Sequence, residues 1–348
     1  MIDIEGFFGA LLSFQRFPPN PEQKKAIEAP PGQPLFLVAG PGTGKTACLV
    51  LRLLKLLFVD GVPPSGILAT TFTKKAAAEL RSRILDWGFR LQEVLLGGGL
   101  TAAQREFFRK LDVNQVKTGT LDSLCESLLR DYREPGTDLP VMADEFISNT
   151  LMLREGLLDG QRYTNADLNA LLLYLNGNNH FGFFVGKKAN LLMSLWERRF
   201  HDQTDWQQYV NDPSAPNPAG RRVADQALEK YRQALESQGL LDFVQLEQKV
   251  LERLKNRQLS DFTQALQVVL VDEYQDSNYL QEQIYFEMAN ACGGALTVVG
   301  DDDQSLYRFR GATVELFSDF EKRFEERFRV FPTKIFLSEN YRSTPEIL

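Results

Sequence analysis

The sequence predicts an α/β fold in which a parallel sheet, covered by helices on both faces, is interrupted by an inserted all-helical segment. Two observations predict this. Short runs that are apolar throughout alternate with helix-like patterns, as in parallel sheets, and residues 131–240 show mostly helical patterns without strand-like alternation. The runs that predict strands are Leu35–Val38, Ile67–Phe72, Val268–Val271, Leu296–Val299 and Ile335–Leu337.

Helix-like segments follow these runs along the chain. We expect three domain segments: residues 1–130 and 241–348 form the α/β domain, and residues 131–240 form the inserted helical subdomain. The glycines at 97–99 and the segment Asn211–Gly220 predict surface loops. The segments that predict helices are Lys45–Phe58, Lys74–Trp87, Ala102–Leu111, Leu151–Leu158, Leu168–Leu175, Ala189–Phe200 and Tyr279–Ala289.

Composition narrows the possible function classes. The 348 residues include 39 Lys and Arg against 46 Asp and Glu, a net charge of −7, so any binding of nucleic acid has to use a local groove of basic and aromatic residues. The three cysteines and two histidines lack the spacing of a zinc or iron–sulfur site. No apolar run reaches the roughly 20 residues that span a membrane, and we expect a cytoplasmic protein.

A phosphate-binding loop lies between the first predicted strand and the first long helix. Small residues there let backbone N–H groups turn towards phosphate oxygens at a helix N-terminus. Lys45 can reach the β- and γ-phosphates of a nucleotide, and the Thr46 hydroxyl can bind Mg²⁺. The alternative is a glycine-rich turn without a ligand, but Lys-Thr stands at the required position. The loop comprises Ala39, Gly40, Pro41, Gly42, Thr43, Gly44, Lys45 and Thr46.

An acidic pair ends the apolar strand at Val268–Val271, on the same sheet edge as the loop. We expect Asp272 to hold Mg²⁺, and Glu273 to orient and deprotonate the attacking water. The alternative is a solvated acidic turn, which the accompanying phosphate loop argues against. Gln304 follows another strand in a similar way and is predicted to contact the γ-phosphate or the attacking water, or else to cap the strand end.

Six motifs in order, from residue 21 to the end, resemble those of the UvrD/Rep family of superfamily 1 helicases. The sequence departs from the family pattern at Lys74, where the family has Asn, and at Leu121 and Asp122, where it has Phe and His. A carboxylate at 122 would repel phosphate, which argues against a DNA contact there. The motifs are Asn20–Gln23, Thr71–Ala77, Thr118–Cys125, Asp272–Asp276 (DEYQD), Gly300–Ala312 and Asn340–Ser343 (NYRS).

The resemblance implies a RecA-like P-loop NTPase domain that binds ATP and Mg²⁺. By resemblance, Gln23 reads the adenine edge and Tyr341 stacks on the base. Arg342 reaches the γ-phosphate and joins Lys45, Glu273 and Gln304 in the catalytic set. The positions that would face DNA are Phe72, Thr73, Tyr307 and Phe309. Aromatic rings stack on bases of any sequence; the alternative for each aromatic position is a core residue.

The implied function is an ATP-dependent helicase or translocase motor acting in DNA repair or replication, with 3′-to-5′ movement on single-stranded DNA. The expected partners are single-stranded or partly duplex DNA and a second RecA-like domain. A helix start at Ser343–Glu346, just before the last residue, suggests a fragment of a longer chain. Two alternatives stay open: an ATP-gated DNA-binding module without turnover of its own, and the motor part of a helicase–nuclease.

Overall fold

A six-stranded parallel sheet carries the fold. The computed structural model describes residues 1–14, 18–133, 136, 141–179, 184–203, 205–301 and 314–342. The strands are β1 (Leu35–Ala39), β2 (Ile67–Thr70), β3 (Lys117–Gly119), β4 (Val141–Met142), β5 (Leu240–Leu241), β6 (Val268–Val271), β7 (Leu296–Gly300) and β8 (Thr333–Leu337). The large sheet has the order β3–β2–β6–β7–β1–β8, and β4 pairs with β5 in a separate parallel ladder. The predicted α/β class is confirmed.

Helices flank the sheet and form the inserted region. A π-helical turn, Met152–Leu158, directly continues the seventh helix. The helices are α1 (Ile4–Leu12), α2 (Pro21–Glu28), α3 (Lys45–Phe58), α4 (Lys74–Gly97), α5 (Ala102–Lys110), α6 (Leu121–Asp131), α7 (Glu145–Leu151), α8 (Ala166–Leu175), α9 (Val185–His201), α10 (Trp206–Asn211), α11 (Pro218–Ser237), α12 (Phe243–Lys255), α13 (Ser260–Ala265), α14 (Tyr279–Ala291), α15 (Val314–Ser318) and α16 (Phe320–Phe328). Among the residues that the structure describes, no helix is both long enough and apolar enough to cross a membrane.

Two hydrophobic cores cover the two faces of the sheet. Leu35 and Leu37 of β1 pack into the core formed with α1–α5, whereas Phe36 between them packs into the core formed with α6, α12 and α14–α16. Successive side chains of a strand point to opposite faces, so a strand buried on both faces is apolar throughout. This explains why the strands appear in the sequence as continuous apolar runs.

A buried arginine joins α3 to α2. Arg52 is fully buried, and its guanidinium donates to the carbonyl oxygens of Ala26 and Ala29 at 2.9 Å and of Pro30 at 3.2 Å. It also donates to Thr297 Oγ1 at 3.1 Å. These carbonyls lie at the end of α2, where helical partners run out. Arg52 therefore fixes the end of α2 against the middle of α3.

The inserted region has a third core of its own, built from α7–α11. Trp196 and Tyr231 lie in this core and donate to the same oxygen, Asp242 Oδ2, at 2.7 and 2.9 Å. The sequence showed no strand pattern here, yet β4 and β5 form a two-residue ladder at the base of this region. Two residues are too few for an alternation to be visible. The domain boundaries stay a prediction.

The structure corrects the bounds of one predicted strand and one predicted helix, and it adds a strand. The predicted strand at 67–72 ends at Thr70, because Thr73 caps α4 by accepting from the backbone N–H of Ala76 at 3.1 Å. Helix α4 continues ten residues past the predicted end at Trp87, since Leu91 and Leu95 keep its apolar face buried. Strand β3 was not predicted, because Lys117–Gly119 contains no apolar run.

Candidate nucleotide-binding site

The phosphate loop joins the end of β1 to the start of α3. Gly42 and Gly44 have φ angles of +77° and +83°, in the left-handed region that favours glycine. Gly44 is the N-cap of α3 and has no side chain to block its first turn. The open N–H groups and the positive end of the helix dipole make this turn suitable for an anion.

Lys45 is a buried cation with an incomplete set of partners. Its side chain is 9% exposed, and Nζ lies 3.4 Å from Glu273 Oε2 and 3.8 Å from Asp301 Oδ2. Within the described part of the chain, Nζ has no partner in hydrogen-bond geometry. A buried ammonium with unused donors is unfavourable. Phosphate oxygens in the adjacent loop would supply the missing acceptors.

The carboxylate proposed for the metal lies at the end of β6, opposite the loop. Thr46 Oγ1 donates to Asp272 Oδ2 at 2.8 Å, which brings the two predicted metal ligands together. Burial, and then the neighbouring Glu273, raise the pKa of Asp272 to about 6. The same two causes raise the pKa of Asp276 to about 7. A divalent cation would offset the repulsion that raises both pKa values.

Glu273 begins the turn that follows β6. Its φ of +53° is unusual for a residue with a side chain, and such strain is common at functional sites. The backbone N–H of Glu273 donates to Asp272 Oδ1 at 3.1 Å, and Gln275 Nε2 donates to Glu273 Oε2 at 2.8 Å. The side chain is 32% exposed. Glu273 is therefore accessible from the cavity, and the hydrogen bond from Gln275 holds its side chain in place.

The segment Asn340–Arg342, the first three residues of the NYRS motif, lies on the phosphate loop. The backbone N–H of Tyr341 donates to the Gly42 carbonyl at 2.8 Å, and Asn340 Nδ2 donates to the Pro41 carbonyl at 2.7 Å. A Cβ at Gly42 would lie only 2.7 Å from the Arg342 Cβ. Glycine is thus required at 42 both for its φ angle and for this close approach.

Gln23 contacts the phosphate loop in this structure. Its Oε1 accepts from the Asn20 backbone N–H at 3.1 Å, and its Nε2 donates to the Thr43 carbonyl at 3.1 Å. Asn20 Nδ2 also donates to the Tyr341 hydroxyl at 3.0 Å, which places Gln23 and Tyr341 on the same side of the loop. Each polar end of Gln23 keeps one further hydrogen-bonding site, a second N–H on Nε2 and a second lone pair on Oε1, for an adenine edge.

Two cavities meet at Asp272 and Glu273. The smaller, about 270 Å³, lies over the phosphate loop and is lined by Lys45, Thr46 and Arg342 together with that pair. The larger, about 590 Å³, extends from the same pair between the sheet edge and the inserted helices. Phe72 and Thr73, two positions predicted to face DNA, line the larger cleft.

The larger cleft is acidic, which the sequence did not reveal. Its lining includes eight carboxylates but Lys74 as its one lysine or arginine among the described residues. Asp122 and Glu247 belong to this set, and burial followed by the charge of Asp122 raises the pKa of Glu247 well above its usual range. The expectation that Asp122 makes no phosphate contact agrees with this environment. The remaining carboxylates of the lining are Glu126, Glu145, Glu197, Asp242, Asp272 and Glu273.

Some predicted site residues lie outside the described part of the chain, and two residues of the site were not predicted. Gln304, Tyr307 and Phe309 fall in the first group. Sequence reasoning did not single out Gln275 or Asp301, which contact the candidate base and the loop lysine. Both residues stand inside the quoted motifs, and their motif positions are the sequence signal that identifies them.

Comparison with known proteins agrees with these observations. Residues 19–325 match the family model described as UvrD/REP helicase N-terminal domain. The chain is 30% identical over 338 residues to ATP-dependent DNA helicase UvrD1 of Mycobacterium tuberculosis strain H37Rv, covering 94% of this chain and 38% of that protein. It is 30% identical to DNA helicase II of Escherichia coli K12 and 31% identical to that of Haemophilus influenzae, covering 94% of this chain and 39% of each relative. The chain thus spans well under half the length of these relatives.

Proposed function

The chain belongs to the UvrD/Rep helicase family, and from that premise we propose that it is the ATP-binding part of a motor that moves along single-stranded DNA. ATP hydrolysis would drive the movement, with 3′-to-5′ polarity and a role in DNA repair or replication. Residues 1–130 and 241–348 would form the RecA-like domain, with 131–240 as its inserted subdomain. A second RecA-like domain of the full-length protein would close over the nucleotide.

The observation that carries this proposal is the lack of hydrogen-bond partners for the Lys45 ammonium group among the described residues. Its buried Nζ lies beside carboxylates, without a hydrogen-bond partner among the described residues, at the open N-terminus of α3. A purely structural lysine would be expected to have acceptors, as Lys55 of the same helix has in Asp60 at 2.8 Å and the Ala29 carbonyl at 3.2 Å. The β- and γ-phosphates of ATP match both the missing acceptors and the cavity.

These positions support the following roles of the site residues. Lys45 binds the β- and γ-phosphates, and Thr46 and Asp272 hold Mg²⁺, which is usually bound through few protein ligands and the substrate phosphates. When bound, Mg²⁺ neutralises charge on the phosphate oxygens. Glu273 orients the attacking water and accepts its proton. Arg342, at the rim of the small cavity, is the further cation for the γ-phosphate.

Tyr341, Gln23 and Gln304 are the remaining residues proposed to contact the nucleotide or the attacking water. Tyr341 is 51% exposed and its hydroxyl accepts a hydrogen bond from Asn20, which suits stacking of the ring on a base. Gln23 would use its second N–H and its second lone pair for the adenine edge. Gln304 keeps its predicted role at the γ-phosphate or the attacking water.

DNA would run past the larger cleft with its phosphates turned away from the acidic lining. Phe72 and Thr73 stand where β2 leads into α4, and the exposed Lys74 and Lys75 follow them. Bases facing Phe72, Tyr307 and Phe309 would stack, while phosphates near the lysines would be neutralised. Single-stranded or partly duplex DNA is the proposed substrate.

The decisive experiment measures ATP hydrolysis with single-stranded DNA, using the full-length protein and Glu273→Gln. We expect the variant to keep Mg²⁺–ATP binding and to lose about 10²- to 10⁴-fold in kcat, because it keeps the shape of the side chain but loses the base. Hydrolysis by the variant at the wild-type rate would remove Glu273 from the mechanism. A wild-type protein that binds ATP and DNA without turnover would instead be the ATP-gated module, and DNA cleavage would identify a helicase–nuclease.

A further inference from the structure

We propose that Gln275 is a positioning residue that holds the carboxylate of Glu273 in the orientation needed to accept a proton. This inference rests on the proposed function, because it takes Glu273 as the base. Gln275 lies in the turn Tyr274–Asp276 after β6 and is 2% exposed. It reaches from this turn to the end of the adjacent strand β7.

The two hydrogen bonds of the Gln275 amide fix its orientation. Its Oε1 accepts from the backbone N–H of Asp301 at 3.0 Å, and its Nε2 donates to Glu273 Oε2 at 2.8 Å. A backbone N–H can only donate, so the amide oxygen has to face Asp301 and the NH₂ group has to face Glu273. The opposite orientation would lose both bonds.

The amide of Gln275 lies close to Gly300 and Phe317. A Cβ at Gly300 would lie 2.6 Å from Gln275 Oε1 and 2.4 Å from the ring of Phe317. Glycine at 300 therefore leaves the space that the amide occupies at the end of β7. Because Gln275 is also buried, its contact with Glu273 is set by the sheet and not by solvent.

This support matters because a cation competes for the same carboxylate. Lys45 Nζ lies 3.4 Å from Glu273 Oε2, the atom that Gln275 also binds. Among the contacts of the described residues, none is to Oε1, which leaves that oxygen to accept the proton of the attacking water. Gln275 thus holds one oxygen at the back of the site and directs the other towards the cavity.

The anchor of Gln275 also connects the base to a neighbouring strand. Asp301 directly follows β7, and its carboxylate lies 3.8 Å from Lys45 Nζ. A displacement of the end of β7 would therefore change the position of the amide and of the base together. This is a short physical route between two strand ends of the site.

The test compares Gln275→Met and Gln275→Glu in the full-length protein with single-stranded DNA. Met keeps the length of the side chain but removes both hydrogen bonds, and we expect kcat to fall about 10-fold while the Kd of Mg²⁺–ATP stays within about twofold. Glu keeps the acceptor for Asp301 but turns a second carboxylate towards Glu273. We expect a larger loss at pH 8 and partial recovery towards pH 6, where the introduced carboxyl can carry a proton and donate again.

The pH dependence separates positioning from a structural role. The control is Gln281→Met, which removes another glutamine–glutamate hydrogen bond, from Gln281 Nε2 to Glu247 Oε1 at 2.7 Å. Its kcat relative to wild type should not depend on pH. Wild-type kcat for Gln275→Met, or a pH-independent ratio for Gln275→Glu, would overturn the inference. If Glu273→Gln hydrolyses ATP normally, the proposed base is wrong; if that variant is inactive while the Gln275 variants are fully active, only the positioning role fails.

Discussion

Two buried cations of α3, Lys45 and Arg52, differ in the number of hydrogen bonds that they make. Lys45 at the start of the helix has carboxylates at 3.4 and 3.8 Å and no partner in hydrogen-bond geometry among the described residues. Arg52, two turns later, donates to three backbone carbonyls and a threonine hydroxyl. Burial lowers the pKa of Arg52 to about 10, which still leaves it charged at pH 7.

The difference distinguishes a binding cation from a structural one. Burial of a charge is tolerated where hydrogen bonds replace those of water. Arg52 has such bonds within the fold, so its contribution is to stability. Lys45 would obtain them from a ligand, so its contribution is to binding. Substitutions at the two positions should therefore affect different measurements.

The largest expected effect is on stability, from Arg52→Met. The change leaves the carbonyls of Ala26, Ala29 and Pro30 without their donor, and we expect the free energy of unfolding to fall by about 3 kcal/mol. Urea denaturation would measure the loss. The control is Arg90→Met. Arg90 is exposed on α4 and pairs with Asp86 of the same helix at 2.9 Å, and such a pair contributes about 0.5 kcal/mol or less. Equal stability of the two variants would contradict the structural assignment of Arg52.

A smaller effect, on binding alone, is expected from Lys45→Ala. Loss of the charge on the β- and γ-phosphates should weaken Mg²⁺–ATP binding by about 10- to 100-fold, which corresponds to about 1.4–2.7 kcal/mol. Stability without nucleotide should fall less than for Arg52→Met, since Lys45 loses ion pairs at 3.4 and 3.8 Å but no hydrogen bond among the described residues. Calorimetry and thermal melting measure the two quantities. Lys55→Ala should show the reverse pattern, because Lys55 is bonded within the fold; equal ATP affinity of wild type and Lys45→Ala would refute the contrast.

Local patterns explain which features the sequence could predict. The start and end of α3 were predicted correctly, because a glycine-rich turn precedes Lys45 and an apolar helical pattern follows it. The acidic end of β6 was predicted for a similar reason, since apolar residues run directly into Asp272. In each case the signal lies within a few neighbouring residues.

Features that depend on contacts between distant segments could not be predicted. Gln275 meets Asp301 only because β6 and β7 are neighbours in the sheet, and the two residues are 26 positions apart. Asp122 and Glu247 line the same acidic cleft from α6 and α12. Arg52 stands in a helical pattern without any local sign that it is fully buried. These properties arise from tertiary packing, which a single sequence does not display.

The smallest expected effect is a dependence of Mg²⁺–ATP binding on pH. Asp272 and Asp276, with pKa values raised to about 6 and 7, face Glu273 and Lys45. Without nucleotide, the folded chain holds protons on these groups that the unfolded chain has lost above pH of about 4, so their contribution to stability falls as pH rises through 4–7. Mg²⁺ requires the ionised carboxylate. Binding of Mg²⁺–ATP should therefore strengthen between pH 6 and 8, in the opposite direction to the stability trend.

The measurement is the Kd of Mg²⁺–ATP for wild type and Asp276→Asn across that pH range in identical buffers. The terminal phosphate of the nucleotide also titrates near pH of about 6 to 7, and the comparison in the same buffers removes this common contribution. Wild type should strengthen by up to about 10-fold per pH unit more than the nucleotide alone accounts for, and Asp276→Asn should show a smaller slope. Parallel slopes for the two proteins would mean that the ionisation of Asp276 does not affect the binding of Mg²⁺–ATP. The contrast with Arg52 would then rest on Lys45 and Asp272 alone.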